Sequence, residues 1–492
     1  MDAPAARYRG MGEGAASMSP NVPLITWAPD ADTTTPGVIP EVYNVLPTAR
    51  GYAPEMGLEN STVNVASLSS RCMGARMVRL GTNTPMLVLA NATSLYSSFG
   101  AQYDLTRTSA YTAATSAAAW RFDSFGEVLL AVQASNILQK TASPGTGTKF
   151  TDVTGAPAGN TMCVQSGFVM IGATTTGGWN YSDGWWCSAL QAYDSWTPDV
   201  ATQAARNRLT QTPGAITRLI SFKDNILAFK ANSILRGTYI GTPLIWGWSV
   251  VATDIGMLGH DAVAQAEGIL YFLGKDGFYR FNGGTPERIN SAPWNFFRNS
   301  AGTILKHIYA QAVWDPVRRV VRWYYPGRAE LNYLLTECIS YHVDSDRWGF
   351  STVSADWVAT APREYVPVPP SVDLQYVDEA AIVIDSTTHA VKTYTAAPGS
   401  SSLSTGDFGD DDAVSMVRRA RARWLKAPTV STAAHYHRMN LSDALTLGTE
   451  EPLLDGKYDF SHSARWHRVM FNSSGMYEMN GFSVDVSPAG KR

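Results

Sequence analysis

Charge is what this 492-residue chain has least of. Asp, Glu, Lys and Arg make up 16% of it, where about 25% is ordinary for a soluble protein. Ser, Thr, Asn, Gln and Gly must cover the surface instead, or an assembly must bury it. Basic excess is missing too. The net charge is −3, and the most basic hundred-residue block, 201–300, reaches only +4. That argues against a tight hold on nucleic acid, which needs several uncompensated Lys or Arg contacts. Cysteine is scarce and scattered, at Cys72, Cys163, Cys187 and Cys338, with no C-x-x-C and no close pair. This argues against a disulfide framework or a cysteine zinc site and favours buried small apolar residues. No apolar run approaches the roughly 18 residues that cross a bilayer as a helix. The opening MDAPAARYRGMGEG lacks the apolar core of a signal peptide, so assembly in a cytoplasm is expected. Long helical periodicity is almost absent.

What is there is apolar and aromatic: 45% hydrophobic residues, 11% aromatics, 15 Trp and 22 Tyr, with 41 Gly and 26 Pro. Such a chain can bury a large core. From about residue 60, short apolar runs alternate with Gly, Asn, Asp and Ser, the pattern of strands and turns. One unit recurs: a strand, a tight turn, a four-residue apolar strand, a polar break and an outer strand. The apolar cores are Leu87–Ala90, Leu129–Val132, Phe168–Ile171, Ile226–Phe229, Ile269–Phe272, Val320–Trp323 and Ile382–Asp385, spaced 39 to 62 residues start to start. About four strands in a period of roughly 40–50 residues is the pattern of a β-propeller blade. Blades bury both faces, so their inner strands read as continuous apolar runs. The uneven spacing leaves a β-sandwich pair or a solenoid as competitors and points to insertions at 172–215 and 325–340.

The expected fold is all-β: a β-propeller over 61–397, an additional C-terminal β platform module over 398–492, and an N-terminal arm and entry segment over 1–60. Residues 1–40, rich in Pro, Gly, Ala and Thr, read as an extended arm. The platform begins at the Gly/Ser-rich break Pro398–Gly409.

The common catalytic fingerprints are missing, among them G-x-S-x-G, H-E-x-x-H, the Walker loop and the dinucleotide motif. No catalytic residue and no cofactor is assigned. Gly172–Gly178 has no Lys and no following helix, so it reads as a loop. Asp344 and Asp346 read as hairpin-turn carboxylates, and Asp410, Asp411 and Asp412 as a solvated turn. His435 and His437 share one face of a strand, with His462 and His467 downstream. They leave a metal site open, though without a Cys or carboxylate to complete it.

RRARARWLKAP is the one marked charge pattern. As a strand it puts Arg419, Arg421 and Arg423 on one face, and Ala420, Ala422 and Trp424 on the other, with Arg418 heading that second row. Two readings stand. The ladder pairs with acidic neighbours, within the protein or across a subunit interface, or it meets the phosphates of DNA.

The order of segments resembles the tail-nozzle proteins of short-tailed bacteriophages, a family also called tail hub, tail tubular protein B or packaged-DNA stabilisation proteins. The resemblance starts at EVYNVLPTARGYAPEMGL (Glu41–Leu58) and runs through GARMVRL, WRFDSFGEVLLAV and WWCSALQAYDSWTPDVATQA. It is densest at PGAITRLISFKDNILAFKANSILRGTYIGTPLIWGW and GILYFLGKDGFYRFNGGTPERI. It closes with TGDFGDDD, RRARARW and GMYEMNGFSVDVSPAGKR, so that most of 41–492 is covered. The resemblance implies a non-enzymatic virion protein, six copies of which form a ring around a channel. That ring would sit between the head-to-tail adaptor ring and the tail tip, with tail fibres or spikes attached around it. Its channel would retain genomic DNA and conduct it without sequence specificity. The competing expectation is a glycan-binding or glycan-degrading β-propeller tail protein, favoured by many exposed-looking Trp and Tyr and disfavoured by the lack of repeated Asp-boxes.

Overall fold

The computed structural model of the chain describes residues 21–64, 66–81, 85–99, 101–290, 292–300, 304–362 and 379–491. The part of the expected arm that spans 1–20 lies outside the described residues. The chain divides into two compact units, one of residues 46–49 and 55–397, the other of 1–45, 50–54 and 398–492.

The larger unit is a β-propeller. Five separate four-stranded antiparallel sheets follow one another along the chain, each a meander from its first strand to its fourth. Their first strands are Ala75–Arg79, Arg121–Phe125, Gly159–Gln165, Ile216–Phe222 and Val263–Ala266. Two more blades share one long strand. The first half of Arg347–Pro362 pairs with Leu335–His342 and completes a sixth blade begun by Gln311–Asp315 and Val320–Tyr325. After a register shift between Ala355 and Trp357, the second half pairs with Glu379–Asp385 and opens a seventh.

Each apolar core of the recurring unit lies in the second strand of its blade, and its alternation explains why all four residues are apolar in the first five; the last two carry Arg322 and Asp385. Val88 and Ala90 pack with Phe122, Leu129 and Ala131 of the second blade. Leu87 and Leu89 point the other way, against Trp357, Ile382 and Ile384 of the seventh. Leu130 and Val132 likewise meet Val169 and Ile171, while Phe168 and Met170 meet Ile226 and Ala228. A blade with two covered faces has no polar side to its inner strands.

The insertions expected at 172–215 and 325–340 take two forms. In the third blade the hairpin Phe168–Thr176 and Trp179–Cys187 has nine-residue strands, followed by a long connection to Ala205–Arg208. In the sixth blade a loop joins Val320–Tyr325 to Leu335–His342.

The fourth strand of the seventh blade comes from the other end of the unit. Gly57–Asn60 pairs with Val391–Ala396, matching Asn60 to Lys392 and Glu59 to Thr393, and Ser61 N donates to Val391 O at 2.9 Å. Gly57 is required there because a Cβ would sit 2.6 Å from the Ala397 carbonyl oxygen. Just upstream, the Glu55 carboxylate accepts from Arg322, and Arg322 Nη2 also reaches Asp315 at 3.1 Å. Arg322 and Asp315 are fully buried and Glu55 nearly so.

The smaller unit is a two-layered β structure. One sheet runs Val22–Pro23, Glu478–Lys491, Ala413–Lys426, Tyr458–Ala464. The other runs Thr446–Pro452, Val430–Arg438, Trp466–Ser474, Ser400–Ser404, Val42–Tyr43. The layers meet through rings, with Tyr458 to Phe471 at 5.5 Å and Phe471 to Phe482 at 6.5 Å between centroids. The entry segment is therefore not set apart as the sequence suggested. Its residues 21–45 add edge strands to the platform, and residues from 55 onward close the propeller. A buried carboxylate fixes this addition. Asp407 accepts from Arg468 at 2.9 and 3.0 Å and from Arg438 at 2.6 Å, and its N–H donates to Thr33 O at 2.7 Å.

Glu55→Gln would strip a charge from the buried cluster and leave Arg322 undercompensated. Breaking a buried pair costs about 3–5 kcal/mol, so the urea midpoint of the propeller is expected to drop markedly. Glu59→Gln, at an exposed position four residues on, is expected to stay within about 0.5 kcal/mol of the parent. Equal midpoints for the two variants would refute the structural role of Glu55.

Candidate functional site

The first strands of the seven blades enclose an axial cavity of about 310 Å³, lined among others by Arg76, Arg121, Asp123, Arg218, His260 and Asp261. A second cavity of about 250 Å³ shares Arg121, His260 and Asp261 and continues to Arg71, Tyr309 and Asp356. Four blades supply Arg76, Arg121, Asp123, Arg218, His260 and Asp261, and the seventh adds Glu379. Asp261 lies just ahead of the fifth first strand and receives both Nη1 contacts of Arg121, at 2.8 and 2.9 Å, and Arg218 Nη1 at 3.3 Å. Arg218 Nη1 also donates to His260 O at 2.9 Å. Arg76 Nη1 donates to Phe122 O at 2.7 Å and stands 3.4 Å from Asp123.

Electrostatics follows from that geometry. Burial alone would raise the Asp261 carboxyl, but Arg121, then His260 and Arg218, hold it far below the usual carboxylate range. Burial and the neighbouring Arg121 push His260 down to about 3, so it is neutral near pH 7. Burial, with Arg121 and Arg76 close by, lowers Arg218 to about 10 despite Asp261. None of these residues stood out in the sequence. The signal was there as charged residues inside the first strands, ARMVR, WRFDSF and ITRLISF, but the apolar second strands dominate any reading of periodicity.

The arginine ladder lies on Ala413–Lys426 of the platform. Arg419 Nε meets Asp459 at 2.8 Å, and Arg421 Nη1 meets Asp485 at 3.1 Å. Of the two readings open in the sequence, the structure places these two arginines against acidic side chains of the same unit. A register shift between Val417 and Arg419 makes Arg418 an extra residue in the strand. Arg418 thus leaves the row of Ala420 and Ala422, which are buried, and becomes exposed. Arg418 and Arg423 make no ion pair among the described residues.

The four histidines do come together, between the two platform sheets. His435 Nε2 and His467 Nδ1 are 3.0 Å apart, and His467 Nε2 lies 3.0 Å from Ser415 Oγ. The rings stack, His437 on His462 at 5.4 Å and 14°, and His435 on His467 at 5.2 Å and 23°. Stacked rings do not aim their nitrogens at one point, and among the described residues no three His, Cys, Asp or Glu are arranged to hold a metal ion. Asp410, Asp411 and Asp412 form a turn in which Asp412 N donates to Asp410 Oδ1 at 2.7 Å, and Trp466 Nε1 donates to Asp411 at 2.9 Å. Asp344 pairs with Arg319 at the hairpin of the sixth blade, and the Tyr341 hydroxyl donates to Asp346. All fifteen tryptophans are buried or half-buried, contrary to the exposure read into the sequence.

No protein-family model matches the chain, and no curated protein matches it. Among solved structures it is similar to the WD40 domain of Pan2 from Neurospora crassa, at 8% identity over 70% of this chain and 96% of that one, with a TM-score of 0.39. It is also similar to YCF48 bound to a D1 peptide, at 11% identity over 70% and 100% of the two chains, with a TM-score of 0.38. The computationally designed Ika8 protein matches at 9% identity over 68% and 99%, with a TM-score of 0.36. Likenesses this distant carry no argument about function. Among the described residues no helix is long and apolar enough to cross a membrane.

The platform histidines and the ladder can each be tested. Burial, with His467, His462 and His437 adding to it, pushes His435 down to about 3 from an ordinary 6.5, and burial pushes His467 down to about 4. An unfolded chain therefore takes up protons that the folded one refuses. Stability is complete above pH 6.5 and falls as the pH drops toward 3–4, by about 1.4 kcal/mol per pH unit per histidine. Melting curves from pH 7 to 4.5 are expected to show this slope, and His435→Phe to flatten it; a flat parent profile would contradict it. Separately, Arg421→Glu faces Asp485 with a like charge and is expected to cost about 1 kcal/mol at this half-exposed site. Adding Asp485→Arg should recover most of the loss in thermal melts, whereas additive losses would show that the pair does not interact.

Proposed function

We propose that this chain is a non-enzymatic structural subunit of a short-tailed phage tail: the tail nozzle, a homohexameric ring that retains packaged DNA and conducts it during ejection. In this reading it meets the head-to-tail adaptor ring on one side and tail-fibre, spike or tail-tip proteins on the other, as part of a virion assembled in the host cytoplasm. The order of segments along 41–492 suggests the family. One observation in the structure supports an assembly subunit most: large apolar side chains stand exposed in groups on both units.

In the propeller, Ile240 and Leu244, 52% and 70% exposed, cap the hairpin of Ser233–Gly241 and Ile245–Thr253, whose nine-residue strands project like those of the third blade. In the platform, Val430 and Leu454, each 61% exposed, stand with Leu425 and Met476 at one end. That is where Ala413–Lys426 ends, Val430–Arg438 begins and the chain turns from Trp466–Ser474 into Glu478–Lys491. Grouped apolar exposure of this kind marks surfaces that a partner covers. Half of the ladder is consistent with a conduit that holds DNA weakly, since Arg419 and Arg421 are neutralised by Asp459 and Asp485, while Arg418 and Arg423 stand exposed.

Electron microscopy of the purified chain, with mass measurement in solution, tests the proposal. Rings of six copies are expected, and Val430→Lys with Leu454→Lys should shift the population toward monomer. A well-behaved monomer that binds or cleaves capsular polysaccharide would overturn it.

A further inference from the structure

Among the described residues, the axial cavity of the propeller holds more positive charge than its walls compensate. Glu379 is matched by Arg79 at 2.9 Å. That leaves the three guanidiniums of Arg76, Arg121 and Arg218 against the two carboxylates of Asp123 and Asp261. His260, neutral near pH 7, does not alter the balance. The donors are unbalanced in the same sense. The protein contacts of Arg121 use Nη1 and Nε, those of Arg218 use Nη1, and those of Arg76 use Nη1. Each keeps N–H groups with no protein partner among the described residues. His260 adds no donor to this count, because its Nδ1 is held 3.0 Å from Asp261 and in the neutral ring Nε2 then carries the lone pair. The arginine N–H groups remain open to the cavity rather than sealed from water, with the side chains of Arg76, Arg218 and Arg121 exposed by 45%, 24% and 11%, so they stand available to a ligand that enters it. Three guanidiniums converge here on a cavity of about 310 Å³, within the size range of small-ligand sites.

The geometry points to a ligand site in this cavity for one small oxyanion, a phosphate or carboxylate group, bound by Arg76, Arg121 and Arg218. A planar, forked guanidinium matches the oxygens of such a group in pairs, and one negative charge would bring the walls to balance. The inference does not depend on the nozzle reading. A cavity of about 310 Å³ inside the seven first strands suits a free small anion.

Isothermal calorimetry and thermal melting of the full chain test the inference. The probes are inorganic phosphate and acetate, each titrated against chloride at constant ionic strength. Saturable binding with a rise in melting temperature is expected for at least one oxyanion and not for chloride; whichever of phosphate or acetate binds more tightly identifies the group. Arg218→Met should weaken the apparent affinity at least tenfold. Arg76→Gln, at a more exposed position that disturbs folding less, should weaken it several-fold. Equal effects of all three salts on the parent protein would overturn the site, as would undiminished binding by a folded Arg76→Gln variant.

Discussion

Closure of the ring is the constraint on which the propeller depends. Each blade is greasy on both faces, because the alternate residues of its second strand serve different neighbours. Leu87 and Leu89 face the seventh blade and Val88 and Ala90 the second. An open row of such blades would leave the first and last with a bare apolar face. The chain prevents this by returning Gly57–Asn60 to the outer edge of the last blade before the first begins. The buried Glu55–Arg322–Asp315 cluster holds that return in place. Asp356 sits at the register shift where the shared strand passes from the sixth blade to the seventh, and it accepts from Cys72 N at 3.2 Å, on the approach to the first blade.

The scarcity of charge acquires a specific meaning in this setting. A small set of the ionised groups is drawn inward and set against one another. Arg322 and Asp315 are fully buried, Asp407 compensates two arginines in the platform, and Asp261 receives two in the axial cavity. Buried pairs of this sort contribute little net stability but are costly to break, so they fix geometry more than they add strength. The outer surface carries the remaining charges, short polar hairpins and grouped apolar side chains such as Leu244 and Val430.

Much of the fold was readable because burial on two faces writes itself plainly into four-residue apolar runs. All seven runs lie in second strands. The turn residues between them also kept their roles, as at Gly126, with φ of +59° between the first two strands of the second blade. Other features could not be read. Gly57–Asn60 is too short and too polar to announce a strand, and its partner lies more than 300 residues away in sequence. The bulge at Arg418 breaks the strict alternation from which its facing was inferred. The axial charges were missed because single arginines inside short strands look like solvent-facing residues until seven such strands are wrapped around one axis. For the histidines, spacing located the cluster, but only the stacking of the rings shows how they are arranged.

Hydrogen exchange of the intact chain, read peptide by peptide, tests closure most directly. If the fourth strand of the seventh blade belongs to the cooperative ring, the amides of Gly57–Asn60 and their partners in Val391–Ala396 should exchange together. Their rate should match that of the interior strands of the other blades. Rapid exchange of Gly57–Asn60 beside a protected Val391–Ala396 would mean that the ring stands without its N-terminal strand, and would contradict closure as the governing constraint.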